Sequence, residues 1–183
     1  MLSIAVLGSS RVSEGSPDYE HALSIGFEIA RRGGRVVCGG QGGVMEAACR
    51  GAARAGGRSL GVILGAAEPN AWVSETVREP DLAARLRRLR DESIAAIFLP
   101  RGLGTLLEVA WMAESITKAY VPPRPLVFLG LFWRRTVALA VAQAAGPGAE
   151  ALATSVRFVS TPSDAVATAF EPPGGSGDRK VSR

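Results

Sequence analysis

The feature of this sequence that most constrains its fold is a regular alternation of short apolar segments with amphipathic helical patterns. The first apolar segment, SIAVLG at residues 3–8, is followed at 17–34 by apolar side chains at helical spacing that end in a pair of glycines. Further strands are predicted at residues 35–40, 59–65, 94–100, 125–130 and 156–161, with helical patterns between them. Such alternation is typical of βαβ units. The sequence therefore predicts an α/β fold, a Rossmann-like doubly wound parallel sheet in three α/β/α layers.

Length and apolar content predict a single domain. The chain has 183 residues, of which 47% are hydrophobic, so one core can form without a second domain. We expect this domain to span residues 1–170, followed at 171–183 by a disordered tail rich in glycine, proline and charge. No apolar run approaches the roughly 18 residues that cross a bilayer, and the N-terminus has the pattern of a strand, not of a signal peptide. A cytoplasmic protein without a membrane partner is expected.

The scarcity of several reactive side chains argues against whole classes of chemistry. His21 is the only histidine, which argues against a histidine-dependent triad and a multi-histidine metal site, so no metal is expected. Cys38 and Cys49 lie in apolar elements and are expected to be free, buried thiols. The only lysines, Lys118 and Lys180, are poorly placed for a Schiff base, and no cofactor is predicted. The net charge is +4, but no basic strip is interleaved with aromatic residues, so nucleic acid is not an expected partner.

Glycine-rich turns follow three of the predicted strands. They lie at residues 8–10, 39–43 and 100–105, and in an open parallel sheet such strand ends meet at the ligand-binding edge. Glycine lets a ligand approach the backbone, and a following helix offers free amides to an anion. The first turn lacks the GxGxxG pattern, and the second strand ends in two glycines without an acidic residue, which argues against a nicotinamide dinucleotide. The turns instead favour another phosphate-bearing ligand.

Three segments carry a resemblance to a known family. GSSRVSEGSPDY, CGGQGGVMEAACRGAARAGG and PRGLGTLLE are similar to segments of the LOG family, formerly grouped as lysine decarboxylases and including cytokinin-activating phosphoribohydrolases. The resemblance runs from about residue 3 to residue 170. The family motif PGGxGTxxE matches residues 100–108, and the arginine of its MxxRK motif, fifteen residues before the proline, matches Arg85. Arg101 replaces the first glycine of the former motif, and Leu82 and Leu86 replace the methionine and lysine of the latter.

This resemblance implies hydrolysis of the N-glycosidic bond of a nucleoside 5'-monophosphate, AMP or an N6-modified AMP, to the free base and ribose 5-phosphate. Arg85 and Glu108 are then the catalytic residues, with the Glu108 carboxylate stabilising the oxocarbenium character of the sugar. Arg101 either crowds the phosphate or adds a guanidinium to it. The other expected nucleotide-binding residues lie in the three turns: Gly8, Ser9, Gly40, Gly42, Gly43, Gly102, Gly104 and Thr105. Family members are usually dimers, and the apolar segment VAWMAESI is consistent with a homodimer.

Other interpretations of the same residues stay open. Thr105 and Glu108 have the spacing of a helix capping box, which needs no ligand. Glu46 stands where LOG enzymes have glycine, and this resembles a related branch that is thought to carry molybdenum cofactor without hydrolysing anything. The same glutamate also fits an acid stabilised by a helix N-terminus. A non-catalytic carrier of a nucleotide or of molybdenum cofactor is therefore the main alternative, and an interaction module whose loops are only turns is a third.

Overall fold

Strands and helices alternate along the chain as the apolar periodicity predicts. The computed structural model describes residues 1–144 and 148–171. Its strands are β1 (Ser3–Leu7), β2 (Arg35–Cys38), β3 (Arg58–Leu64), β4 (Glu75–Glu79), β5 (Ala95–Phe98), β6 (Leu126–Leu129) and β7 (Val156–Val159). Its helices are α1 (Pro17–Arg31), α2 (Val44–Arg54), α3 (Leu82–Asp91), α4 (Leu103–Thr117), α5 (Arg134–Gln143), α6 (Ala149–Ser155) and α7 (Pro162–Phe170).

All seven strands form one parallel sheet in the order β4-β3-β2-β1-β5-β6-β7. From β1 the chain builds outward to β4, and it then crosses back to place β5 on the other side of β1. The connections after β1 and β5 therefore diverge and leave a crevice at the carboxyl ends of these two strands. Ligands of open α/β sheets bind at such a switch point. The expected doubly wound Rossmann-like sheet is confirmed.

Two separate hydrophobic cores cover the two faces of the sheet. In β1, Ile4 and Val6 face the core built with α1, α2 and α7, whereas Ala5 and Leu7 face the core built with α3, α4, α5 and α6. This alternation follows from the two-residue period of a strand. Because both faces are covered, the central strands are apolar along their whole length, as is usual for parallel sheets. The result is the expected three-layer α/β/α arrangement.

Two elements were not predicted from the sequence. Strand β4 lies within the segment between Pro69 and Pro80 that the sequence suggests to be a loop. Its sequence ETVRE alternates half-buried and exposed positions, as the two-residue period of a strand predicts. None of its residues is fully buried, because the strand lies at the edge of the sheet. The short helix α6 lies in a stretch to which no element was assigned. The predicted tail at 171–183 lies outside the described residues, apart from its first residue.

Candidate functional site

A cavity of about 620 Å³ lies at the crevice between the connections that follow β1 and β5. Seven of the residues expected at the site line it: Gly8, Ser9, Arg85, Gly102, Gly104, Thr105 and Glu108. The other lining residues are Ser10, Arg11, Gln41, Met45, Leu64 and Leu103. Four expected residues, Gly40, Gly42, Gly43 and Arg101, do not line it. Residues as far apart in the chain as Gly8 and Glu108 thus meet at one edge of the sheet.

The N-terminus of α4 points free amides at this cavity. Leu106 is the first residue of α4 whose amide bonds within the helix, to the Gly102 carbonyl at 3.0 Å, and no side chain caps the residues before it. The amides of Leu103, Gly104 and Thr105 therefore remain available. A Cβ placed on Gly104 would meet nothing within 4 Å, so a ligand has room to reach them. This end of a helix favours an anion through both its amides and its dipole.

The capping-box interpretation of Thr105 and Glu108 is wrong. Helix α4 begins at Leu103, and Gly102 is its N-cap residue, with φ of 99°. Thr105 is therefore already the third residue of the helix and does not cap it. Its side chain is buried next to Gly102, where an added Cβ would lie 2.9 Å from the threonine Oγ1. Glu108, one turn further on, is left free of the capping role.

The glycine turn after β2 packs against the turn after β1 that lines the cavity. Gly43 has φ of 64°, and an added Cβ would lie 2.5 Å from the Ser9 carbonyl oxygen. The next amide, that of Val44, donates to the same carbonyl at 3.1 Å. The Val44 side chain in turn packs on Gly8, where a Cβ would approach it to 2.8 Å. These glycines therefore hold the first two turns against each other, while Gln41 is the residue of the second turn that reaches the cavity wall.

Arg85 and Glu108 face each other across the cavity from α3 and α4. Arg85 Nη1 lies 3.8 Å from Glu108 Oε1, and their side chains are only 15% and 10% exposed. Arg85 Nε donates to the Val62 carbonyl at 2.9 Å, which anchors the guanidinium to the backbone of β3. The guanidinium also passes over Gly39, where any Cβ would overlap it. The backbone of β2 and β3 thus sets the position of the arginine.

Burial controls the charge of Glu108. Loss of hydration raises its pKa from an ordinary 4.5 to about 7, and the positive charge of Arg85 opposes this shift without cancelling it. A carboxyl group with a pKa near neutrality exchanges protons readily under physiological conditions. Shifted carboxyl groups of this kind, when they lie in a cleft, are frequent at catalytic sites.

Arg101 does not enter the cavity. It has φ of 69°, in the left-handed region, and its side chain is 73% exposed. Its Nη1 lies 4.0 Å from Asp18 Oδ2 at the start of α1. Its side chain is directed towards α1 and is not among the groups that line the cavity in which the phosphate is expected. Arg101 instead links the turn before α4 to α1.

Several lining residues were missed by the sequence reasoning. Ser10 ends the first glycine turn, Arg11 directly follows it, and Gln41 lies inside the second, so polar residues next to strand-end glycines were the available signal. Leu64 and Leu103 form an apolar rim, and no sequence pattern distinguishes them from core leucines. Within residues 1–144 and 148–171, no group of three or more metal-binding side chains is found, and no helix is long and apolar enough to cross a membrane.

Comparisons with solved structures agree with this fold. A molybdenum cofactor carrier protein from Chlamydomonas reinhardtii is 27% identical, with a TM-score of 0.72 over 91% of this chain and 94% of that one. A molybdenum cofactor binding protein from Rippkaea orientalis is 24% identical, with a TM-score of 0.72 over 91% and 93% of the two chains. The structural genomics target TM1055 is 21% identical, with a TM-score of 0.75 over 91% and 97%. The latter two likenesses establish the fold alone.

The search of curated proteins finds no match to this sequence. The sequence model of the SLOG cluster4 family matches residues 1–121, which include β1 to β5, α4 and all the lining residues of the cavity. This match covers well over half of the 183 residues. The resemblance to LOG proteins with features of molybdenum cofactor carriers is thereby confirmed, and the chain belongs to the SLOG cluster4 family.

Proposed function

We propose that the cavity binds a nucleoside 5'-monophosphate, AMP or an N6-modified AMP, and hydrolyses it in the cytoplasm to the free base and ribose 5-phosphate. The observation that carries this proposal is a buried carboxyl group, Glu108, one helical turn beyond the free amides of α4. The rise from Thr105 to Glu108 is about 4.5 Å at 1.5 Å per residue. A phosphate held at the helix N-terminus therefore leaves its ribose beside the carboxyl group.

The phosphate is held mainly by the backbone. The amides of Leu103, Gly104 and Thr105 donate to it at the positive end of the helix dipole. Ser9 and Ser10 line the same region and offer hydroxyl groups from the first turn. Arg11 lines the cavity beside them and supplies a guanidinium that suits bidentate contact with phosphate. Water is the second substrate of the proposed hydrolysis.

Glu108 acts on the sugar. Breaking the bond from the base to C1' develops positive charge on the ribose ring, and a nearby carboxylate stabilises that charge or orients the attacking water. Because burial has raised its pKa to about 7, both protonation states are populated near neutrality. Arg85, 3.8 Å away, favours the carboxylate form and lies where it can contact the phosphate or the departing base. The apolar rim formed by Leu64 and Leu103 suits the flat face of a base.

Incubation of the purified protein with AMP and with N6-prenylated AMP tests this function, with chromatography of the released base as the readout. We expect release with at least one of the two, and loss of release in Glu108→Gln. Glu114→Gln is the matched control, because Glu114 lies on the same helix but is exposed. Retained turnover in Glu108→Gln contradicts the assigned role, and absence of release from both nucleotides in the wild type contradicts the hydrolase.

A carrier of molybdenum cofactor is the second candidate function. The specific observation in its favour is the 27% identity to the carrier protein of Chlamydomonas reinhardtii over almost the whole of both chains. The absence of the motif lysine at Leu86 also removes a cation that active LOG proteins usually have. Tight binding of the phosphorylated cofactor together with no release of base from AMP is the result that favours the carrier.

We also propose a homodimer built on the outer face of α4. Leu103, Leu107 and Ala110 are exposed on one stripe of this helix, and Leu103 is 83% exposed while it lines the cavity. Trp111 Nε1 is buried and has no acceptor among the described residues. Ala110 lies at the midpoint of α4, so a two-fold axis there pairs small residues and allows close helix packing. The second copy then covers the open side of the cavity at Leu103.

A further inference from the structure

A pair of thiols lies directly under the glycine turn of the candidate site. Cys38 ends β2 and Cys49 lies in α2, both are free and fully buried, and their Sγ atoms are 3.4 Å apart. They form a small sulfur-rich cluster with Met45, and the half-buried Val73 packs against it. Two cysteines brought together from different elements differ from isolated buried cysteines, which usually serve only as small apolar side chains.

Met45 separates these thiols from the cavity. It is the one member of the cluster that also lines the cavity, and it retains 7% exposure. Methionine is unbranched and flexible, so its movement opens a path for a small solute. The thiols are therefore one mobile side chain away from solvent on the cavity side.

The two thiols are not equivalent. A hydrogen bond with Cys38 lowers the pKa of the Cys49 thiol, even though burial opposes this change. The same hydrogen bond, followed by burial, raises the pKa of the Cys38 thiol well above its ordinary value. Cys49 therefore loses its proton more readily than Cys38. A thiolate beside a thiol is the usual arrangement of an attacking and a resolving cysteine.

We propose that Cys38 and Cys49 form an oxidation site for hydrogen peroxide or a small hydroperoxide, and that the resulting disulfide weakens ligand binding in the cavity above it. The Cys49 thiolate attacks one peroxide oxygen and the O–O bond breaks, which leaves a sulfenic acid on Cys49; once a proton is taken up, the other oxygen leaves as water from hydrogen peroxide or as the alcohol from a hydroperoxide. Cys38 then attacks the Cys49 sulfur, the S–S bond forms, and the hydroxyl leaves with the Cys38 proton as water. The two sulfurs together lose two electrons to the peroxide.

The disulfide changes the support of the glycine turn. Closing the sulfur pair from 3.4 Å to about 2.0 Å draws the end of β2 towards α2. In the reduced protein, Cys38 Sγ accepts a hydrogen bond from the Gly40 amide at 3.3 Å. This hydrogen bond is lost or distorted when the sulfur moves to form the disulfide. Gly39, which packs against the Arg85 guanidinium, lies between Cys38 and Gly40 in the chain. Oxidation therefore displaces both the turn beneath the ligand and the arginine beside it.

Mass spectrometry of the full chain tests the oxidation step without any ligand. Treatment of the wild type with hydrogen peroxide should remove about 2 Da and both titratable thiols, and digestion should yield a Cys38–Cys49 peptide. Cys38→Ser should instead accumulate a sulfenic acid on Cys49 that a dimedone probe traps, whereas Cys49→Ser should trap little. Met45→Ala should speed disulfide formation. A wild type that keeps both thiols while its methionines are oxidised overturns the proposal, and so does equal trapping in the two serine variants.

The effect on binding rests on the proposed function and is measured separately. Titration of reduced and oxidised wild type with AMP should show about tenfold weaker binding after oxidation, restored by a dithiol reductant. Cys49→Ser treated in the same way is the control, and its affinity should not respond to peroxide. Equal affinity of the reduced and oxidised forms overturns the coupling. If the reduced protein does not bind AMP at all, the nucleotide function fails while the mass experiment still decides the oxidation site.

Discussion

Replacing Glu108 with glutamine removes a carboxyl group whose ionisation the fold opposes. Burial raises the pKa of this group from 4.5 to about 7, and the effect of Arg85 is already contained in that value. At about 1.4 kcal/mol per pH unit, holding Glu108 ionised in the folded state costs on the order of 3 kcal/mol at high pH. Glutamine has nearly the same shape and carries no charge. Glu108→Gln should therefore be more stable than the wild type above neutrality, even though it should lose the proposed activity.

The pH dependence of this stability difference follows from how tightly Glu108 binds its proton in the folded and unfolded states. Because the folded pKa of Glu108 lies above the unfolded one, the folded protein holds this proton more tightly between pH 4.5 and about 7. Raising the pH through that window therefore lowers the wild-type stability relative to the variant, and the difference becomes constant above it. Other titrating groups cancel in the comparison, since they are common to both proteins.

Urea unfolding followed by tryptophan fluorescence, at pH 4 and at pH 8, measures this difference. We expect the stability gain of Glu108→Gln to be larger at pH 8 than at pH 4 by about 2–3 kcal/mol. Glu114→Gln, on the exposed side of the same helix, should show no such trend. Parallel stability curves for the wild type and Glu108→Gln, within about 0.5 kcal/mol, would refute the assignment of a raised pKa to this carboxyl group.

Four further outcomes are expected. Arg101→Gly should raise stability by about 0.5–1 kcal/mol, because it relieves a left-handed residue, and should change AMP affinity by less than about twofold in calorimetry. Gly39→Ala should weaken AMP binding by about tenfold or more, as Arg85→Ala does, because its Cβ displaces the guanidinium. The kcat/KM for AMP should rise with pH around a midpoint of about 7, where Glu108 becomes a carboxylate. Leu107→Lys should convert a dimer to a monomer in analytical ultracentrifugation, because it places a charge in the apolar stripe of α4.

The sequence could predict the sheet because buried parallel strands leave a simple signature. A short continuous apolar run between two helical patterns, such as Ala95–Phe98, is best explained as a strand of a parallel sheet that helices cover on both faces. Strand β4 leaves no such signature, because half of its side chains face water and its order comes from backbone pairing with β3. Local patterns therefore identify apolar strands, including the opposite edge strand β7 with its sequence VRFV, and miss a polar edge strand such as β4.

The sequence identified about half of the residues that line the cavity but not the interactions between them. The two family motifs identified Arg85 and Glu108 as site residues, but the spacing from Thr105 to Glu108 also suggested a helix cap. The start of α4 decides between these alternatives, and it depends on the φ of Gly102, which no spacing rule reveals. The raised pKa of Glu108 depends on tertiary burial and is equally invisible in the sequence. The orientation of the Arg101 side chain depends on how close Asp18 of α1 lies in the folded chain, which the sequence also does not reveal.

The anchor of Arg85 has a consequence for how this site changes during evolution. The arginine is held by the main-chain carbonyl of Val62, and every amino acid supplies a carbonyl. Strand β3 can therefore drift in sequence without releasing the arginine, whereas Gly39 cannot acquire a side chain. Divergent homologues that keep this arrangement are better recognised by the glycine that directly follows β2 than by identity along β3. Grafting the arginine onto another doubly wound sheet requires the same two features, a main-chain carbonyl within one strand and a glycine just after the neighbouring strand.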